Sequence, residues 1–134
     1  MNYQFFLFEA YLNGVFLEMK IQKFTELIVW QKSKKLISIT YAASNEIKNF
    51  SFKDQLNRAS LSISNNIAEG FGRRSNKEFK RFLKISLGSA FEVNSMLIVF
   101  HDIQILSDEL FNDALACVEE VIRLLIGLIS KIEC

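Results

Sequence analysis

The stretch SNKEFKRFLKISLGSAFEVNSMLIVF, residues 75–100, reads as one long helix. Ser75 and Glu78 stand three apart just ahead of Phe79, Phe82 and Leu83, the spacing of a capping box that closes a helix N-terminus. Ser86, Ala90, Val93, Leu97 and Phe100 then continue at steps of three and four, so one face is apolar throughout. Gly88-Ser89 interrupts the run, and a mid-helix glycine costs about 1 kcal/mol relative to alanine. Such a cost fits either a close approach by another backbone or a glycine that is simply tolerated.

The same period extends in both directions. Downstream, Ser107 is an N-cap with Asp108 and Glu109 in the first turn, where the helix dipole favours acids. Leu110, Ala114, Val118, Val121, Leu125, Leu128 and Ile132 form one face of this fourth helix. Phe111, Leu115, Ile122, Leu124, Ile126 and Ile129 leave it only a narrow polar stripe, which predicts a second buried face, against another subunit. Upstream, Ser51 with Asp54 opens a second helix carried by Leu56, Ala59, Ile63 and Ile67, with Gly70 and Gly72 as its stop signals. A first helix is expected over 25–46, with Leu27, Trp30, Ile37 and Tyr41 inward, Val29 and Leu36 widening the stripe, and Lys48-Asn49-Phe50 as the turn after it.

Four long helices joined by short turns predict an all-α, antiparallel up-down-up-down four-helix bundle. The 134 residues include no proline and five glycines, too few turn signals for an all-β chain. The bundle is expected over 20–134. Residues 1–19 are read as an N-terminal extension, either translated upstream sequence ahead of a natural start at Met19 or a family-specific addition; the segment has no basic n-region, carries Glu9 and Glu18, and suits neither a signal peptide nor a membrane span. Cys117 falls in an apolar helical run and Cys134 ends the chain, so no disulfide framework is implied and a reducing, cytoplasmic setting is inferred.

No catalytic constellation stands out, and no cofactor or small-molecule substrate is implied. His101 is the single histidine, and at a helix C-terminus it reads as a capping or surface residue more readily than as part of a triad. A di-metal bundle needs Glu-x-x-His, but position 98 is Ile. Paired zinc ligands are missing, and no nucleotide-binding fingerprint surrounds Gly70-Phe71-Gly72. Charge carries more information. Residues 20–84 hold 14 Lys/Arg against 5 Asp/Glu, and residues 85–134 hold 2 against 8. Such asymmetry fits a polyanion-binding face, two complementary surfaces meeting in an oligomer, or solvated helix faces. Within the basic part, Arg73, Arg74, Lys77, Lys80, Arg81 and Lys84 run along one side of the second turn and third helix, with only Glu78 among them. Unpaired like charges at these spacings repel, and a polyanion relieves that, so nucleic acid is the expected partner. An acidic partner protein is the alternative.

Three segments resemble the bacterial four-helix-bundle proteins also called 23S rRNA intervening sequence proteins. Residues 24–32, FTELIVWQK, are similar to the family's F-x-x-L-x-V-W-Q-K opening. Residues 55–73, QLNRASLSISNNIAEGFGR, resemble its Q-L-x-R-A-x-x-S-I-x-x-N-I-A-E-G-x-G-R signature almost end to end. Residues 79–92 resemble its F-x-R-F-L-x-I-A-x-G-S-x-x-E stretch, with Ser86 where alanine is usual. The resemblance covers about residues 20–130. It implies a four-helix bundle and a ring-like pentamer, and the related accessory proteins of diversity-generating retroelements use basic surfaces to engage RNA and a reverse transcriptase. Among the matched positions, Trp30, Leu56, Ala59, Ile63 and Ile67 are expected in the core. Asn66 and Glu69 are expected to bond across helices or subunits, and Arg58 to pair with Glu69 or Glu92 or to join the basic surface.

Overall fold

In the computed structural model, which describes residues 6–12 and 15–134, with side chains from residue 21 onward, a two-stranded hairpin precedes four helices. Strands β1 (Phe6–Leu12) and β2 (Val15–Ile21) pair antiparallel, from Phe6 with Ile21 to Leu12 with Val15. Both are rich in aromatic and apolar residues, which favour strands. Ile21 at the end of β2 is buried with the helical core. A 3-10 turn, Phe24–Glu26, leads into α1 (Ile28–Ser44), followed by α2 (Phe50–Gly72), α3 (Asn76–Asp102) and α4 (Asp108–Lys131).

Each helix packs on its neighbours in sequence, and α1 closes on α4, which makes the bundle. Cross-helix partners run in opposite directions along the chain. Gly70 lies against Phe79 and Phe82, while Ser86 Oγ donates to Ile63 O at 2.8 Å and the Ser62 and Ser89 hydroxyls meet at 2.8 Å. At the far end, the N–H of Ser107, the N-cap of α4, donates to Glu46 Oε2 beyond α1 at 2.9 Å. All α3 positions assigned to the core are buried, and so is the first face of α4 except half-buried Leu110. By length and composition alone α3 is apolar enough to cross a membrane, but its inner residues Leu83, Ala90, Val93 and Leu97 line this core.

Several expectations are corrected. Leu27, Val29 and Leu36 are buried as expected, but the seam of α1 continues through Ser33, Thr40 and Ala43, while Trp30 and Ile37 are half-buried and Tyr41 is exposed. Polar residues can occupy this seam because Ser33 donates to Trp30 O and Thr40 to Leu36 O, each closing its hydroxyl on the preceding turn. Helix α2 is capped by Asn49, whose Oδ1 accepts from Phe52 N at 3.1 Å, rather than by Ser51. Gly70 is not a stop signal. It is buried within α2, and the helix ends where Arg74 takes a left-handed φ of 55°. The close approach expected at Gly88 is instead at Gly70, where an added Cβ would lie 2.5 Å from Phe82 Cβ; at Gly88 it would meet nothing within 4 Å. The capping box is half formed: Ser75 Oγ accepts from Glu78 N at 3.4 Å, but the Glu78 carboxylate turns to Arg81. The second face of α4 is also largely covered, Ile122 being buried and Phe111, Leu115, Leu124 and Ile129 half-buried, with Ile126 exposed.

Candidate nucleic-acid interface

The antiparallel bundle gathers the end of α2, the start of α3 and the end of α4 at one pole. Asn76 Nδ2 donates to Glu133 O at 3.0 Å and Lys80 Nζ to Ile132 O at 3.5 Å, so the first turns of α3 cap the otherwise open carbonyls after α4. Lys80 therefore leans toward α4. Arg81 instead lies over its neighbour Phe82, with its guanidinium 4.5 Å from the ring centroid. Arg73 reaches the same ring from α2 at 5.1 Å, so two cations rest on one buried aromatic.

The six cations predicted as a stripe thus split into three environments. Arg73 and Arg81 hold carboxylates, Arg73 Nη2 to Glu69 Oε1 at 3.0 Å and Arg81 Nε to Glu78 Oε2 at 2.7 Å. These pairs correct the expectation that acidic partners are lacking, and the signal lay in spacings of four and three. The hydrogen bond from Arg81 holds the Glu78 carboxyl below the usual carboxylate range, with the nearby Arg81, Arg73 and Lys77 charges adding to it. Lys80 caps α4. Lys77 and Lys84 are exposed and make no hydrogen bond or ion pair among the described residues, and Arg74 is exposed in the turn. Sequence spacing missed Lys131, which the return of α4 carries to this pole, exposed and next to the carbonyl that Lys80 caps.

The polar residues of the signature are placed differently from expectation. Arg58 pairs with Asp54 at 2.7 Å one turn earlier, and not with Glu69 or Glu92. Glu69 binds Arg73 within the same stretch, and Glu92 is exposed. Asn66 Nδ2 donates to Ser62 O at 2.7 Å and Ser62 Oγ at 3.0 Å, and Ser62 carries the link across to Ser89 of α3. Away from the pole, His101 Nε2 meets Asp108 Oδ1 at 2.6 Å and its ring stacks on Phe111 with centroids 4.0 Å apart, a staple between α3 and α4. Among the described residues no group of three His, Cys, Asp or Glu is placed to hold a metal ion. Cys117 is buried with its Sγ 3.8 Å from Lys32 O, and burial pushes its thiol pKa up.

The model of the 23S rRNA-intervening sequence protein family matches residues 25–127, from the 3-10 turn through most of α4. The chain belongs to this family. The match spans all four helices and starts after the hairpin. Among solved structures, a protein of unknown function from the S23 ribosomal protein family of Bacteroides thetaiotaomicron VPI-5482 is similar, with a TM-score of 0.74 and 24% identity. The alignment covers 78% of this chain and 100% of that one, and the likeness supports the bundle fold. No curated protein matches the chain.

Proposed function

We propose that this member of the 23S rRNA-intervening sequence family is a non-enzymatic, homo-oligomeric bundle that binds nucleic acid, with RNA the polyanion, through its basic pole. The observation carrying this reading is that the bundle collects Arg73, Arg74, Lys77, Lys80, Arg81 and Lys84 from two helices and their turn, and adds Lys131 from a third. Lys77 and Lys84, which are spent on no carboxylate, are the cations best placed to take phosphates. The family's description ties its members to 23S rRNA intervening sequences, which makes structured RNA the first polyanion to test.

A second reading has one observation in its favour. Arg73 and Arg81 are already paired with Glu69 and Glu78, which sets carboxylates among the cations of this pole, and such mixed charge suits an acidic protein that brings some cations of its own better than a uniform polyphosphate. Fluorescence anisotropy with a labelled structured RNA separates the two. Nucleic-acid binding predicts affinity that falls steeply with salt and collapses when Lys77, Lys80, Arg81 and Lys84 are all changed to Glu. Binding that is absent, or unchanged in that variant, would leave the protein-docking reading.

A further inference from the structure

The pole opposite the basic one is built from the turn between α1 and α2 and the turn between α3 and α4. An open cleft of about 660 Å³ lies between the two turns, within the usual size range of ligand sites. Phe52, Ile105 and Leu106 give it apolar walls, and Glu46, Lys48 and Gln104 line it with polar groups. Its shape is set before any partner arrives. The Phe52 ring stacks on Phe100 of α3 with centroids 5.4 Å apart, and Glu46 Oε2 is held by the Ser107 N–H. Gln104 takes a left-handed φ of 64°, and the Ile105 N–H returns to Phe100 O at 3.0 Å, which closes the second turn. Phe50, Val99 and Ile103 at the same end are exposed, and Phe50, at 79%, is the most exposed large apolar residue among those described. One such residue is ordinary, but three at the end that holds an apolar-walled cleft mark a contact surface. Residues 45–53 carry Glu46 against Lys48 and Lys53, while residues 101–113 carry Asp102, Asp108, Glu109 and Asp113 with no Lys or Arg. Asp108 is tied to His101, but Asp102, Glu109 and Asp113 are exposed and make no hydrogen bond or ion pair among the described residues.

We propose that this cleft docks a basic, extended peptide segment of a partner protein, in which a Lys or Arg side chain stands beside a large aliphatic one. The aliphatic side chain enters against Phe52 and Ile105, and the cation takes the open oxygen of Glu46 or the carboxylates of Asp102 and Glu109. The exposed side-chain amide of Gln104 offers the peptide backbone both a donor and an acceptor, and Lys48 meets its carbonyls. Charge selects the occupant. Five acids against two lysines in these segments repel a nucleic acid, and they repel an anionic lipid surface equally. A second copy carries its cations at the opposite pole, where Arg73 and Arg81 already hold carboxylates. Contact between unlike poles would also stack chains head to tail without closing. The proposal goes beyond the nucleic-acid reading and does not depend on it. With both, the bundle is an adaptor that holds a polyanion at one end and a basic protein segment at the other.

The test titrates a fluorescein-labelled hexapeptide that alternates arginine with leucine into the full, nuclease-treated chain. Saturable binding is expected by fluorescence anisotropy, with amide NMR shifts concentrated in residues 46–52 and 104–107, which line the cleft. Asp102→Lys with Glu109→Lys should weaken binding roughly ten-fold while helical circular dichroism stays unchanged. Glycine in place of leucine in the peptide should weaken it by a similar factor, a comparison made on the unaltered protein. Absent binding, shifts elsewhere on the bundle, or full affinity in the charge-reversed chain would overturn the proposal. Equal affinity for the glycine peptide would overturn it too, by showing an acidic surface without a cleft site. So would head-to-tail multiples in native mass spectra that the same double substitution dissolves, because the cleft would then belong to a second copy.

Discussion

A methyl group at Gly70 would lie 2.5 Å from Phe82 Cβ and 3.2 Å from Phe79 Cδ2, so Gly70→Ala must force α2 and α3 apart. The expected loss is about 1–3 kcal/mol, the usual cost of overpacking, seen as a lower urea midpoint. Gly88→Ala should do the opposite for an isolated bundle, raising stability by about 1 kcal/mol when unfolding is followed at low protein concentration. The two cysteines should also differ. Cys117 is buried with its thiol pKa pushed up, whereas Cys134 is exposed, so native protein should label at Cys134 alone and at both residues after denaturation. Fast labelling of Cys117 in folded protein would contradict its placement between α1 and α4. For Glu78, whose carboxyl is held low, the contact with Arg81 is complete above the ordinary carboxylate pKa and is lost as pH falls through the lowered value.

At the scale of elements, helix caps and apolar period carry most of the information. The face of α3 and the first face of α4 were legible because both are made of large apolar residues at steps of three and four, opened by Ser75 and Ser107. The seam of α1 was legible only at Leu27, Val29 and Leu36, because Ser33, Thr40 and Ser44 are also buried, each hydroxyl closed on a carbonyl of its own helix, while Ile28 and Tyr41 face water. Hydropathy alone cannot see a satisfied serine. The basic residues of the candidate site were legible as a cluster but not as environments, since Arg73 and Arg81 converge on Phe82 and Lys80 turns to Ile132 O only after the helices pack. Lys80→Ala should loosen the end of α4 by roughly 0.3–1 kcal/mol, the range for a cation at a helix C-terminus, read as faster hydrogen exchange in its last turn.

For the whole molecule, the antiparallel path sets a basic pole against a bundle whose net charge is only +1. The acidic residues of α4 mostly lie toward its start and middle, as with Asp108, Glu109, Asp113, Glu119 and Glu120, while Arg74, Lys77 and Lys131 sit at the opposite end. A polyanion approaching such a field is drawn to one pole, and the strength of that attraction depends on ionic strength. The measurement that tests this most directly is the affinity for one structured RNA over a range of monovalent salt. The account predicts a straight fall of log affinity with log salt, and a slope shallower by about one unit for Lys77→Ala, because each phosphate contact removed releases one fewer counterion. A flat salt dependence, or a slope that Lys77→Ala leaves unchanged, would contradict it.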